Sequence, residues 1–192
     1  MSLYQNKRRL HMKQELIKIS KFLSLILRHK PESIGVSMSP HGWVNINELI
    51  QAAEKHRIYL NKKIIDQVIK ENEKQRFTYS TDGESIRANQ GHSINIELEL
   101  KPSKPPKILY HGTASRFMEN IRKKGLLKMN RQHVHLSLLK KTAYDVGKRH
   151  GKPIILIIDA QIMTKDGYDF YLSKNGVWLT EHVAPQYLQE EQ

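Results

Sequence analysis

The sequence predicts an α+β protein built as two lobes, and three observations predict it. Apolar residues fall at helical spacing in three stretches between Ile19 and Ile69. The period then changes to two across residues 77–88, on either side of an Asp-Gly pair. Three prolines follow within residues 101–107, a composition suited to an extended, semi-rigid connector, and beyond it strand-like and helix-like runs alternate again. The expected division is a first lobe at 1–100, a connector at 101–107 and a second lobe at 108–192.

Ile19, Phe22, Leu23, Ile26 and Leu27 share one side of a helical wheel, so a helix should run to about Arg28 and stop ahead of Pro31. That stop leaves Arg28 and His29 on or beside its last turn. Residues 42–46 read as a short strand, with Asn47 as the cap of a second helix through Leu49, Ile50 and Ala53. Asn61 begins a third, carrying Ile64, Ile65, Val68 and Ile69 up to the charged stretch 70–74. Phe77-Thr-Tyr79 and Ser85-Ile-Arg-Ala88 flank the Asp82-Gly83 turn as a hairpin. Helices followed by a two-stranded wing suggest a winged helix. In the second lobe, strands are expected at 108–110, 134–138 and 154–158 and a helix at 117–124, giving a compact α+β lobe.

A formal net charge of +13 favours a polyanionic partner. Residues 1–100 hold 16 Lys and Arg against 11 Asp and Glu, a net +5, and residues 101–192 hold 16 against 8, a net +8, so neither half is a mere basic tail. The absence of cysteine excludes disulfides and thiolate chemistry. No apolar run approaches a membrane span and the first residues lack a signal-peptide core, so a cytoplasmic protein without a membrane association is expected.

Four basic residues stand out: Arg28 and His29 at a helix end, Arg76 ahead of a strand, and Arg131 ahead of His-Val-His-Leu-Ser at 133–137. Guanidinium forks grip phosphate oxygens in pairs, and together these side chains would cradle phosphate in a cleft. Singly, Arg28 and His29 could serve only to offset the negative end of the helix. Strand alternation places His133, His135 and Ser137 on one face and Val134, Leu136 and Leu138 on the core face. With His111, the two histidines could also form a three-histidine metal site. Arg131 opposes a cation there, and an anionic ligand fits better. In Tyr110-His111-Gly112-Thr113, glycine would let a ligand approach the backbone while His111 and Thr113 supply hydrogen bonds. No Rossmann or P-loop glycine motif occurs.

The combination resembles the RNA 2′-phosphotransferase family. The match runs from Leu23-Ser-Leu-Ile-Leu-Arg-His-Lys-Pro31, Gly42-Trp-Val, Arg76-Phe77 and Ile86-Arg-Ala-Asn-Gln-Gly-His-Ser93 onward. It continues through Leu109-Tyr-His-Gly-Thr113, Gly125-Leu-Leu127, Arg131-Gln-His-Val-His-Leu-Ser137 and Val146-Gly-Lys-Arg-His-Gly-Lys-Pro153. The first ten or so residues fall outside it and are expected to be disordered.

The resemblance implies a winged-helix RNA lobe, an ADP-ribosyltransferase-like NAD lobe and an active cleft between them. It implies Arg28, His29, Arg76 and Arg131 as the catalytic group. Tyr110, His111, Gly112, Thr113, His133, His135 and Ser137 would bind NAD, and Arg87, Gln90, His92, Ser93 and Arg149 the substrate RNA.

In the chemistry so implied, an internal RNA 2′-phosphate attacks the nicotinamide-bearing ribose carbon of NAD, releasing nicotinamide and leaving an ADP-ribosylated RNA phosphate. The neighbouring 2″-hydroxyl then attacks phosphorus, releasing 2′-hydroxyl RNA and ADP-ribose 1″,2″-cyclic phosphate. NAD is consumed, no metal is expected, and the partner is a 2′-phosphorylated RNA of the tRNA splice-junction type acted on by a monomer. Two alternatives remain open. One is an ADP-ribosyltransferase that modifies a nucleic acid or protein end and stops after the first step, and the other is a non-catalytic RNA-binding winged helix.

Overall fold

The computed structural model describes residues 3–191. The chain divides into two compact units, Met1–Leu98 and Glu99–Gln192, each with its own hydrophobic core.

The first unit opens with α1 (Leu3–Arg28), followed by a 3₁₀ turn at Pro31–Ile34. From Leu3 onward the segment expected to be disordered is therefore helical. The physical reason is composition: ahead of Pro31 the segment is mostly Lys, Arg, Gln, Glu, Leu, Met and Ile, and contains neither Gly nor Pro to break the ladder. Next come β1 (Val44–Asn45), α2 (Ile46–Lys55), α3 (Lys62–Glu71), β2 (Phe77–Tyr79) and β3 (Ser85–Ala88). The α2 cap is Asn45, two residues earlier than expected, and the strand before it is correspondingly short. Asn45 keeps extended backbone, so its Oδ1 can accept from the amides of Asn47 and Glu48 at 2.9 and 3.2 Å. Asn61 caps α3 as expected, accepting from the Ile64 amide at 2.9 Å.

The three strands form one antiparallel sheet in the order β1-β3-β2, with Phe77 opposite Ala88 and Val44 opposite Ile86. Leu23, Ile26 and Leu27 of α1 bury against Leu49 and Ala53 of α2, Ile65 and Val68 of α3, and Val44, Phe77 and Ile86 of the sheet. Burying a side chain of this size stabilises by about 1.5–3 kcal/mol, which fixes the C-terminal end of α1 against the hairpin. Residues 89–93 leave β3 and return to that helix end.

The second unit contains β4 (Ile108–Ala114), α4 (Met118–Lys124), β5 (Leu126–Leu127), β6 (Val134–Leu136), α5 (Lys140–Gly147) and β7 (Pro153–Asp159). It is completed by α6 (Ala160–Lys165), β8 (Tyr171–Leu172), β9 (Trp178–Thr180), β10 (His182–Val183) and β11 (Leu188–Glu190). Its sheets run β11-β7-β4, β6-β9-β8 and β10-β5. An exchange of backbone hydrogen bonds between Tyr110 and Ser137, at 2.8 and 2.7 Å, ties β4 to the end of β6. The proline-rich stretch is held against this unit, since Pro102 bridges Tyr171 and the Ser103 amide donates to the Phe170 carbonyl at 2.7 Å.

Strand β6 ends at Leu136. Val134 and Leu136 are buried as alternation requires, but Leu138 lies past the strand end and is 55% exposed instead of facing the core.

Candidate active site

In the first unit, the segment 91–93 locks onto the end of α1. The Ser93 amide donates to the Arg28 carbonyl at 3.0 Å, and Ser93 Oγ lies 2.9 Å from His29 Nδ1. Gly91 has φ +87°, and a Cβ there would stand 3.7 Å from both Cζ and Nη1 of Arg28. The guanidinium thus lies against bare backbone in a conformation that favours glycine. The His29 ring is oriented by a hydroxyl, which sets the direction in which its Nε2 points.

Arg76 is held separately. Its Nη1 donates to Asn72 Oδ1 at 3.0 Å, while Asn72 Nδ2 reaches Ser20 Oγ at 3.4 Å. Ser20, Ser24 and Arg28 follow one another at i+4 spacing, so Arg76 is tied to the side of α1 that carries Arg28. Asn89 adds a second tie to this segment: its amide donates to the Arg76 carbonyl at 2.8 Å and its Nδ2 to the Gln75 carbonyl at 2.6 Å.

Arg87 and His92 are both buried. Arg87 is 9% exposed, its guanidinium lies 4.3 Å from the Trp43 ring centroid, and its Nη1 donates to the His41 carbonyl at 3.1 Å. His92 is 0% exposed and packs beneath the segment that Ser93 anchors. Burial, then the charges of Arg28, His29 and Arg87, push its pKa down to about 3, and the ring is neutral at physiological pH. Ser93 is exposed and Gln90 half-buried on the same segment.

In the second unit, Arg131 Nη1 lies 3.3 Å from His135 Nδ1. A guanidinium can only donate, so this contact requires the lone pair on that nitrogen. His111 Nδ1–H donates to the His135 carbonyl at 2.9 Å. Burial is the largest influence lowering its pKa, and the neutral ring then presents Nε2 as an acceptor. The His133 ring packs tilted against Tyr171, 5.5 Å between centroids, and burial lowers its pKa as well. Lys140 Nζ lies 5.8 Å from the Tyr110 ring centroid. Ser137 is fixed by the backbone exchange with Tyr110. Arg131, His111 and His135 are thus linked through His135, with the Arg131 guanidinium a donor and His111 Nε2 an acceptor.

Gly112 and Thr113 also hold α5 against β4. A Cβ on Gly112 would fall 1.7 Å from the Ala143 carbonyl oxygen, and one on Gly147 would fall 2.5 Å from the Thr113 carbonyl oxygen. The glycines let the α5 backbone lie directly on β4, so α5 fills the side of Gly112 on which a Cβ would stand. Thr113 is correspondingly buried at 6% exposure.

Arg149 is exposed in the 3₁₀ turn Lys148–His150. Glu181 pairs with Lys128 at 2.9 Å. Among the described residues no group of three or more His, Cys, Asp or Glu side chains is arranged to hold a metal ion, and no helix is long and apolar enough to cross a membrane.

Sequence reasoning does not reveal Asn72, Trp43 and Asn89 as supports of the arginines. Trp43 and Asn89 lie inside motifs that the resemblance covers, but Asn72 sits in a charged helix end where no spacing rule marks it.

Residues 14–182 match the model of the family described as RNA 2′-phosphotransferase, Tpt1 / KptA family. A protein of Acaryochloris marina named "Probable RNA 2′-phosphotransferase" is 56% identical over 179 residues, covering 93% of this chain and 99% of that protein. Proteins of the same name from Flavobacterium johnsoniae and Shigella boydii are 52% and 47% identical. The alignments cover 89% and 93% of this chain, and 94% and 98% of those proteins. A match of this extent, across both units and every motif that carries the basic residues, makes this chain a member of the RNA 2′-phosphotransferase family.

Proposed function

We propose that this protein removes an internal 2′-phosphate from RNA, at a tRNA splice junction above all, by transferring it to NAD. The products are 2′-hydroxyl RNA, nicotinamide and ADP-ribose 1″,2″-cyclic phosphate. In this reading the first unit is a winged-helix RNA lobe and the second an ADP-ribosyltransferase-like lobe, in a cytoplasmic monomer that uses no metal.

The observation that carries the reading is the lock between the α1 terminus and the segment 91–93. It holds a guanidinium and an oriented imidazole beside each other, with a second guanidinium tethered through Asn72. A dianionic phosphate is best held by such fixed, oriented donors, because oriented charge stabilises it without reorganisation in the transition state. Arg28 and Arg76 neutralise the RNA phosphate, while His29, aligned by Ser93, binds it or moves the proton of the attacking hydroxyl.

The second unit's donors suit a dinucleotide. Arg131 and His135 offer charge and hydrogen bonds to pyrophosphate, His111 Nε2 accepts from a ribose hydroxyl, and the Tyr171 and His133 rings give an aromatic flank. Bound NAD supplies an electrophilic ribose carbon with a neutral leaving group. Arg131 is assigned to the phosphate during its transfer, where charge builds on the equatorial oxygens.

The test is a defined oligonucleotide with one internal 2′-phosphate, incubated with NAD, with all products resolved. Nicotinamide and cyclic phosphate should form in equal amounts. Arg76→Ala should chiefly weaken use of the RNA, and His111→Ala the use of NAD. Label from NAD retained on the macromolecule, without cyclic phosphate, would replace this reading with simple ADP-ribosylation. No RNA-dependent nicotinamide release would leave only RNA binding.

A further inference from the structure

We infer that the N-terminal half of α1 is a basic arm that grips RNA backbone away from the reactive phosphate. The inference rests on the RNA reading above and adds a second contact surface to it.

The charge of the first unit is concentrated in one place. Residues 7–21 hold six Lys and Arg (Lys7, Arg8, Arg9, Lys13, Lys18, Lys21) against the single acid Glu15, a net +5. That equals the net charge of residues 1–100, so the rest of the lobe is balanced. Glu15 is already paired with Lys18 at 2.7 Å. Residues 5–15 are all exposed, and the first α1 side chain packed on the core is Leu16. The arm thus extends the helix by more than two turns beyond the packed body. Lys7, Arg8, Arg9 and Lys13 precede residues 14–182, the stretch shared with the family model.

Beside the arm lies a groove of about 750 Å³ with an apolar floor that includes Leu16, Ile19 and Phe22, and Arg8, His11, Arg57 and Tyr59 are also among its lining residues. Tyr59 is 80% exposed, with its ring available to stack on a base. Phosphates for the cations and a base for the ring describe an RNA strand. A membrane surface fits less well, because a helix lying in a lipid interface needs a broad apolar face. In residues 7–14 the only apolar side chains are Leu10 and Met12, which at 100° per residue point to opposite sides of the helix.

The test is the full chain with Lys7, Arg8, Arg9 and Lys13 all changed to Gln, which keeps helix propensity while removing charge. Binding to tRNA-sized RNA without a 2′-phosphate is measured by fluorescence anisotropy across a salt series. Losing four phosphate contacts should flatten the slope of log affinity against log salt by about 3 and weaken binding at least tenfold. Turnover of a short 2′-phosphorylated oligonucleotide should stay at wild-type level.

An unchanged slope in a variant of wild-type helicity would overturn the arm. So would loss of binding to anionic phospholipid vesicles with RNA binding intact, which would make the arm a lipid contact. Failure of the wild-type protein to turn over the short oligonucleotide would count against the proposed reaction alone, because arm binding is read independently of it.

Discussion

His92 should make the first unit acid-sensitive well above the usual carboxylate range. In the unfolded chain its imidazole titrates near 6.5, whereas in the fold burial and the neighbouring Arg28, His29 and Arg87 push it down to about 3. A depressed folded-state value means that the unfolded chain binds the proton first. The contribution to stability is therefore complete above about pH 6.5 and is lost progressively as pH falls toward 3. Between about pH 7.5 and pH 5 the two values imply a loss of about 2 kcal/mol, near 1.4 kcal/mol for each unit below 6.5. That is a large part of a small domain's stability. Trp43 lies in the first unit and Trp178 in the second, so a Trp178→Phe background makes fluorescence report the first unit during urea unfolding. His92→Leu removes the titrating ring, and the fall in stability between the two pH values should shrink by about 2 kcal/mol. Imidazole NMR on the wild-type chain gives the same information without a mutation. A His92 resonance titrating near pH 6.5, or an identical acid loss in His92→Leu, would refute the assignment of a buried neutral ring.

Gly112→Ala should destabilise the second unit by about 3 kcal/mol or more, since the new methyl meets the Ala143 carbonyl at 1.7 Å and helix backbone cannot give way as a flexible side chain can; a thermal melt within a degree of wild type would contradict the close approach of α5 to β4. Arg131→Ala should stay folded yet slow phosphoryl transfer on the order of 100-fold, the effect of losing about 3 kcal/mol of transition-state contact, so that ADP-ribosylated RNA accumulates as a transient band from end-labelled substrate. Arg131→Lys should rescue only in part if the guanidinium fork matters, and uniform slowing without the band would remove Arg131 from that step.

The helices and the hairpin are legible in the sequence because their signals are local. Leu23, Ile26 and Leu27 declare a buried stripe, and Asp82-Gly83 declares a turn. The α2 cap is ambiguous at that level because Asn45 and Asn47 are equally good capping residues, and only the backbone path of β1 decides between them. Gly112 is legible as a close approach but not as to what approaches. A glycine after a strand looks the same whether its empty side faces a ligand or the backbone of a helix some thirty residues later in the chain. The roles of Asn72 and Trp43 depend on side-chain placement in the folded unit and carry no periodic mark.

The histidines show why residue type alone could not divide the basic motifs into charge carriers and supports. His92 and Ser93 are adjacent, yet one is sealed beneath the surface and the other reaches out to hold the His29 ring. A cationic His92 would add repulsion beside Arg28 and Arg87, and keeping it neutral lets an imidazole fill that space without competing for the same anion. The same logic holds for His111, half-buried and tied to the His135 carbonyl, with Arg131 close enough to lower its pKa further. In each unit the permanent charge beside these rings is thus left to guanidinium groups, and the rings themselves are neutral. Proton movement in the reaction proposed here then falls to His29, the one imidazole of the catalytic set, held by a hydroxyl that can accept or donate as the ring changes state.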